Sequence, residues 1–159
     1  MKKIAILFMA FGFLVSCKSS AVVNEARKTM RGDWTLNSIE YPEGQENLEV
    51  TLFNDTSAEC LENSVWNFVS NNNRGSYVPS NMGCSNEPRY FIWSVAEMDA
   101  SGGNYDMMLK PTNEDYKSTT GNQGFRINLT TLTTDVMVWE QTINFEGRPF
   151  TIRMNFNKQ

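Results

Sequence analysis

Eighteen acidic side chains, fourteen basic ones and no histidine set the chemistry open to this 159-residue chain. Without histidine there is no Ser-His or Cys-His relay, no His-ligated zinc and no base that titrates near neutrality. The carboxylates Asp99, Asp106, Glu114, Asp115 and Glu146 fall in loops or on polar faces, and no spacing among them implies a pair across a cleft. There is no G-x-S-x-G and no glycine loop that could cradle a phosphate. Asp99 to Asp106 carries scattered oxygen donors, but it lacks the spacing and terminal glutamate of a calcium loop and reads as a hairpin turn. No catalysis, no metal and no cofactor are therefore expected. The net charge of −4 offers no basic footprint for phosphates, so nucleic acid is not an expected partner. Two sequons, Asn54-Asp55-Thr56 and Asn128-Leu129-Thr130, are read as chance.

The cysteines carry the remaining chemistry. Lys2-Lys3 is followed by an apolar run from Ile4 to Leu14, broken only by Gly12, and then by Leu14-Val15-Ser16-Cys17. The run is too short for a membrane span, which needs about 20 residues. The order resembles a bacterial lipobox, with small Ser16 before the cysteine. The resemblance implies that residues 1–16 are a signal peptide that is removed, and that Cys17 carries a lipid. An ordinary secretory signal beside a chance cysteine is the alternative. Losing Lys2 and Lys3 would leave 12 basic against 18 acidic residues, a charge of −6. Lys18 rather than Asp follows the cysteine, and no acidic run comes after it. That favours an outer-membrane protein of the bacterial envelope, facing the periplasm.

Residues 17–31 read as a lipid-anchored tether holding at most one helical turn. Its 14 residues after the cysteine would reach about 45–50 Å extended and average about 20 Å as a coil. Outside the cytosol, Cys60 and Cys84 form an even pair and read as a disulfide. A metal or redox pair is the alternative, but neither cysteine sits in C-x-x-C.

The elements that must position these groups are mostly strands. Beyond Arg31 the apolar period is two. Phe125, Ile127 and Leu129 alternate with Arg126, Asn128 and Thr130; Phe150, Ile152, Met154 and Phe156 alternate with Thr151, Arg153, Asn155 and Asn157; Tyr105, Met107 and Leu109 alternate with polar partners. Further strands are expected at 34–41, 49–54, 64–70, 89–98 and 136–145. Asn71 to Gly75, Ser101 to Asn104, Thr134-Asp135 and Glu146-Gly147 read as turns. Thr56 to Asn63 is the helical candidate, with Thr56 or Ser57 as N-cap. The expectation is an all-β domain over 32–159: an antiparallel up-and-down barrel of about eight strands with one short helix. Closure would remove the edge strands that invite aggregation.

Gly32-Asp33-Trp34 at the start of the first strand resembles the G-x-W motif of the lipocalins. The order that follows is similar to that of small bacterial lipocalin-like lipoproteins. A short helix holds a cysteine (Cys60), a strand carries Trp66-Asn67-Phe68, and a second cysteine and Trp93-Ser94 come later. The resemblance covers about Arg31 to the end and implies a barrel with Trp34, in a structural motif with Gly32, plugging one end. The second lipocalin motif is matched only loosely, by Glu114-Asp115-Tyr116, and no long C-terminal helix follows Phe156. The arginine that would stack on the motif tryptophan could be Arg153 or Arg148. Animal lipocalin ligands are therefore not transferred.

In such a barrel the inward face includes Trp66, Phe68, Trp93, Met107, Phe125, Ile127, Trp139, Gln141 and Ile152. This lining suits a small, mostly hydrophobic molecule, bound or carried, with the Gln141 amide orienting it. The same side chains could instead simply fill the barrel, with Gln141 wet near one mouth. The protein would then be a non-catalytic interaction or structural lipoprotein. No loop marks a protein partner.

Overall fold

The computed structural model describes residues 21–44, 49–97 and 104–159. The leader and Cys17 lie outside the described residues, as does the expected turn at 101–103. Eight antiparallel strands form a closed barrel in the order β1 (Gly32–Glu40), β4 (Val65–Val69), β5 (Arg74–Val78), β6 (Arg89–Glu97), β7 (Tyr105–Thr112), β8 (Phe125–Leu132), β9 (Val136–Phe145) and β10 (Arg148–Lys158). β10 returns to pair with β1. Each strand pairs with its sequence neighbour in the barrel, so this is an up-and-down meander, consistent with a lipocalin-like fold.

The period of two explains the barrel. Trp66 and Phe68 of β4, Met107 and Leu109 of β7, Ile127 and Leu129 of β8, and Ile152, Met154 and Phe156 of β10 are buried, while their neighbours are more exposed. Bulges at Leu36/Ser38 and Leu129/Thr131 add the local bending that closure needs. The β9–β10 turn is Glu146-Gly147, both at positive φ (51° and 79°), with Phe145 paired to Arg148. This two-residue geometry matches strand twist, and the second position suits glycine.

β5 was not among the expected strands. Its inward positions are only Gly75 and Tyr77, so little alternation shows. Gly75 works in the strand because the Phe91 ring covers it: a Cβ there would lie 2.3 Å from Phe91 Cζ.

Between β1 and β4 the chain crosses one end of the barrel. β2 (Thr51–Leu52) and β3 (Thr56–Ser57) form a two-stranded hairpin, followed by α2 (Ala58–Leu61). Ser57 is the N-cap of α2 and accepts from the Cys60 amide. Leu52, Phe53, Ala58 and Leu61 are buried. Cys60 is bonded to Cys84, which staples this cap to the β5–β6 loop.

The opposite end is closed by α1 (Ala21–Met30). This replaces the extended tether over its described part: ten residues are helical, with Ala26 and Met30 buried. The helix lies against β6 and β8. Arg27 donates to the Ser70 carbonyl (2.6 Å) and to Asn73 Oδ1. Lys158 Nζ donates to the Thr29 carbonyl (2.8 Å) near the helix C-terminus, where a cation also meets the helix dipole favourably. Trp34 is fully buried beneath the helix, and its indole N–H donates to the Met30 carbonyl at 2.8 Å. The cation over its ring is Lys158, 4.8 Å from the centroid. Neither expected arginine takes that place: Arg153 pairs with Glu140 and Arg148 is exposed.

Candidate functional site

The barrel interior is occupied by its own side chains. Trp66 sits at the hub, with the rings of Phe53, Tyr77, Phe91, Trp139 and Phe156 at 4.1–5.9 Å between centroids. Phe68 packs edge-on against Phe91, Trp93 and Trp139. Of the nine residues expected to line a calyx, Trp66, Phe68, Trp93, Met107, Ile127, Trp139 and Ile152 are at most 2% exposed. Phe125, at the start of β8, and Gln141, midway along β9, are half-buried, and Phe125 packs on Phe53. All but Gln141 are brought together, but as a close-packed, largely aromatic core.

One polar atom in that core has no partner among the described residues. Trp139 Nε1 is buried and donates to nothing among the described residues, whereas the other three tryptophans donate to Met30, Ser64 and Arg74.

A cavity of about 520 Å³ opens at the capped end, between the cap, the ends of β5 to β7 and the loop leading into β8. None of the nine expected residues lines it. Its apolar walls are Phe53, Phe91, Leu109 and Pro111, with Tyr77 and Tyr90 beside them. The position of Phe53 follows from the cap. Phe53 and Asn54 both have positive φ (56° and 54°) in the tight turn closed by the Asp55 amide on the Leu52 carbonyl, 3.0 Å. For a phenylalanine this conformation costs about 1–2 kcal/mol. It turns the ring down onto Trp66 and Phe125, where burial offsets the cost.

The polar part of the wall is a three-residue network. Asp55 receives Arg89 Nε at 2.9 and 3.1 Å and the Tyr77 hydroxyl at 2.8 Å. Tyr77 and Arg89 are paired across β5 and β6, and the cap turn brings Asp55 to them. Burial, with the Asp55 charge second, pushes the Tyr77 phenol well above its ordinary value. The hydrogen bond to Asp55 holds the Arg89 guanidinium above its own. Neither group is poised to exchange a proton near neutral pH. Thr112 also lines the cavity, with its hydroxyl buried and without a hydrogen-bond partner among the described residues. Thr119, Thr120 and Gln123 complete the rim from the β7–β8 loop.

The sequence carried one signal for this site. Arg89 shares the inward parity of Phe91, Trp93 and Val95, so it is a charge at the mouth end of a dry face. Asp55 lies in a turn and Tyr77 in the strand that showed no pattern, so neither was visible. Elsewhere, Asp106 pairs with Arg126 at 3.4 Å, Glu114, Asp115 and Glu146 are exposed, and Asp99 lies outside the described residues. Compared with protein-family models, with curated proteins and with solved structures, the chain matches none.

Proposed function

We propose that this chain is a non-catalytic binding protein of the bacterial envelope, which takes a small molecule at the capped mouth of its barrel. The observation that supports this is the mouth cavity itself. Its volume of about 520 Å³ lies in the range of ligand sites, and its aromatic walls carry a few fixed polar groups. The packed interior shifts the reading from a hydrophobic calyx toward the mouth, and with it from a purely apolar ligand toward an amphipathic one.

The same packing favours a second reading, an interaction or structural lipoprotein with a filled barrel. A cavity-filling variant separates them. Thr119→Trp on the exposed rim should abolish saturable binding of a fluorescent amphipathic probe while leaving the unfolding midpoint unchanged. Probe binding that survives both this change and Thr120→Trp would argue against the mouth.

In this proposal the chain is held to the outer membrane by lipid on Cys17, facing the periplasm. The tether is then short. Four peptide steps separate Cys17 from Ala21 and span at most about 14 Å. The end plugged by α1 would lie toward the lipid and the mouth away from it. Loss of palmitate labelling and of membrane retention in Cys17→Ser tests the anchor; an unchanged membrane fraction would refute it.

A further inference from the structure

We propose that the mouth cavity selects an uncharged, hydroxyl-rich ring, a monosaccharide or short neutral glycan by class; this rests on the mouth being the binding site. The first argument is charge. Among the described residues, Asp55 and Arg89 are the only wall groups that carry a charge at neutral pH, and they neutralise each other through two contacts of 2.9 and 3.1 Å. A basic ligand drawn to Asp55 would meet the like charge of Arg89 beside it, and an acidic one drawn to Arg89 the like charge of Asp55, in a half-enclosed site where both lose water, which is costly. A neutral ligand leaves the pair intact.

The second argument is the mixture of unused valences. The Asp55 oxygens and the Tyr77 hydroxyl retain acceptor capacity. The Thr112 hydroxyl is buried without a partner among the described residues. The side chains of Thr119 and Gln123 make no hydrogen bond within the described residues and lie on the same rim. Donors and acceptors are interleaved here. A ligand hydroxyl, which is both, can satisfy either kind, whereas an acyl chain would bury these groups unpaired. The third argument is shape. Tyr90 and Pro111, both half-exposed, offer flat apolar surfaces against which the C–H face of a pyranose can lie, with the buried rings of Phe53 and Phe91 behind them.

The test uses the full chain in a zwitterionic, sugar-free detergent, with amide signals of Tyr90 and Gln123 followed by NMR. Methyl glucoside, methyl galactoside, N-acetylglucosamine and maltose are titrated, with glucosamine and glucuronate as charged counterparts and laurate as an apolar probe. At least one neutral sugar should saturate these signals, and the charged sugars should bind at least fivefold more weakly. Gln123→Ala and Thr119→Ala, both on the exposed rim, should each weaken that sugar by about three- to tenfold without moving the unfolding midpoint. Charged sugars binding as well as neutral ones would overturn the proposal. Laurate saturating the same signals while sugars do not would overturn the ligand class and keep the site. No probe moving them would overturn both.

Discussion

Trp66 and Trp139 offer a controlled measurement of what an unpaired polar atom costs in this core. Both are fully buried, and their rings meet edge-on at 5.4 Å. Replacing either by Phe removes the same atoms from the same environment, so the cavity cost is nearly common to both. The hydrogen bonds differ. Trp66 Nε1 donates to Ser64 Oγ at 2.8 Å, and Ser64 is itself fully buried. Trp66→Phe therefore leaves a buried acceptor vacant, at about 1–3 kcal/mol. Trp139 Nε1 has no partner, so Trp139→Phe removes an unsatisfied donor and recovers about 1–3 kcal/mol. Even at the low end of both ranges, Trp139→Phe should be less destabilising than Trp66→Phe by about 2 kcal/mol. Urea unfolding followed by far-UV circular dichroism reads this difference, provided the slopes agree. Equal losses in the two variants, or a larger loss for Trp139→Phe, would refute the reasoning.

Gly75→Ala should destabilise by about 1–3 kcal/mol in the same assay, because the new Cβ meets the Phe91 ring and, at 2.7 Å, the Asn67 carbonyl. Phe91→Leu in that background should relieve only part of the strain, since the carbonyl stays. Tyr77 makes stability fall at high pH. Its raised native pKa means that below about pH 10 both states are protonated, and above it only the unfolded state loses the proton. Stability should then drop by up to about 1.4 kcal/mol per pH unit, and pH-dependent unfolding of Tyr77→Phe should show a shallower slope. Replacing Cys60 and Cys84 together by Ser should cost about 3–4 kcal/mol on the chain-entropy model, read as a lower urea midpoint that added reductant no longer changes. Lys158→Met should loosen α1 by about 1–2 kcal/mol, seen as faster amide exchange at Ala26 to Met30 with the barrel strands unaffected.

The barrel was legible where side chains alternate in size and polarity. β7, β8, β9 and β10 lie where the period of two put them, within a few residues. β5 was not legible, because a glycine in a strand carries no pattern and its packing partner, Phe91, is on another strand. The disulfide was expected from the pairing of the two cysteines outside the lipobox-like leader, and Cys60 is joined to Cys84. α1 was misjudged for a different reason. Arg27 and Lys28 suggested a solvated run, but Arg27 is drawn inward by the Ser70 carbonyl, which only the assembled β4–β5 turn provides. The mouth site was least legible. It joins Asp55, Tyr77 and Arg89 from three separate elements, and side-chain size alone does not separate a lining from a core. Trp66, Trp93 and Trp139 fit either description on a strand diagram, and only their mutual contacts decide.

The seam between β1 and β10 also dictates an order of folding. β1 completes its pairing by joining residues 122 apart in the chain, as Thr35 and Asn157 do. Loop closure over that distance must precede any reward from the contacts, which is the regime of slow folders. Until β10 is in place, β1 and β9 each present an open edge, and α1 lacks the lysine that holds its last turn. A chain interrupted before Arg148 would therefore display two unpaired strand edges and a loose helix. The short-lived species between synthesis and closure is where chaperones would need to act and where aggregation would begin.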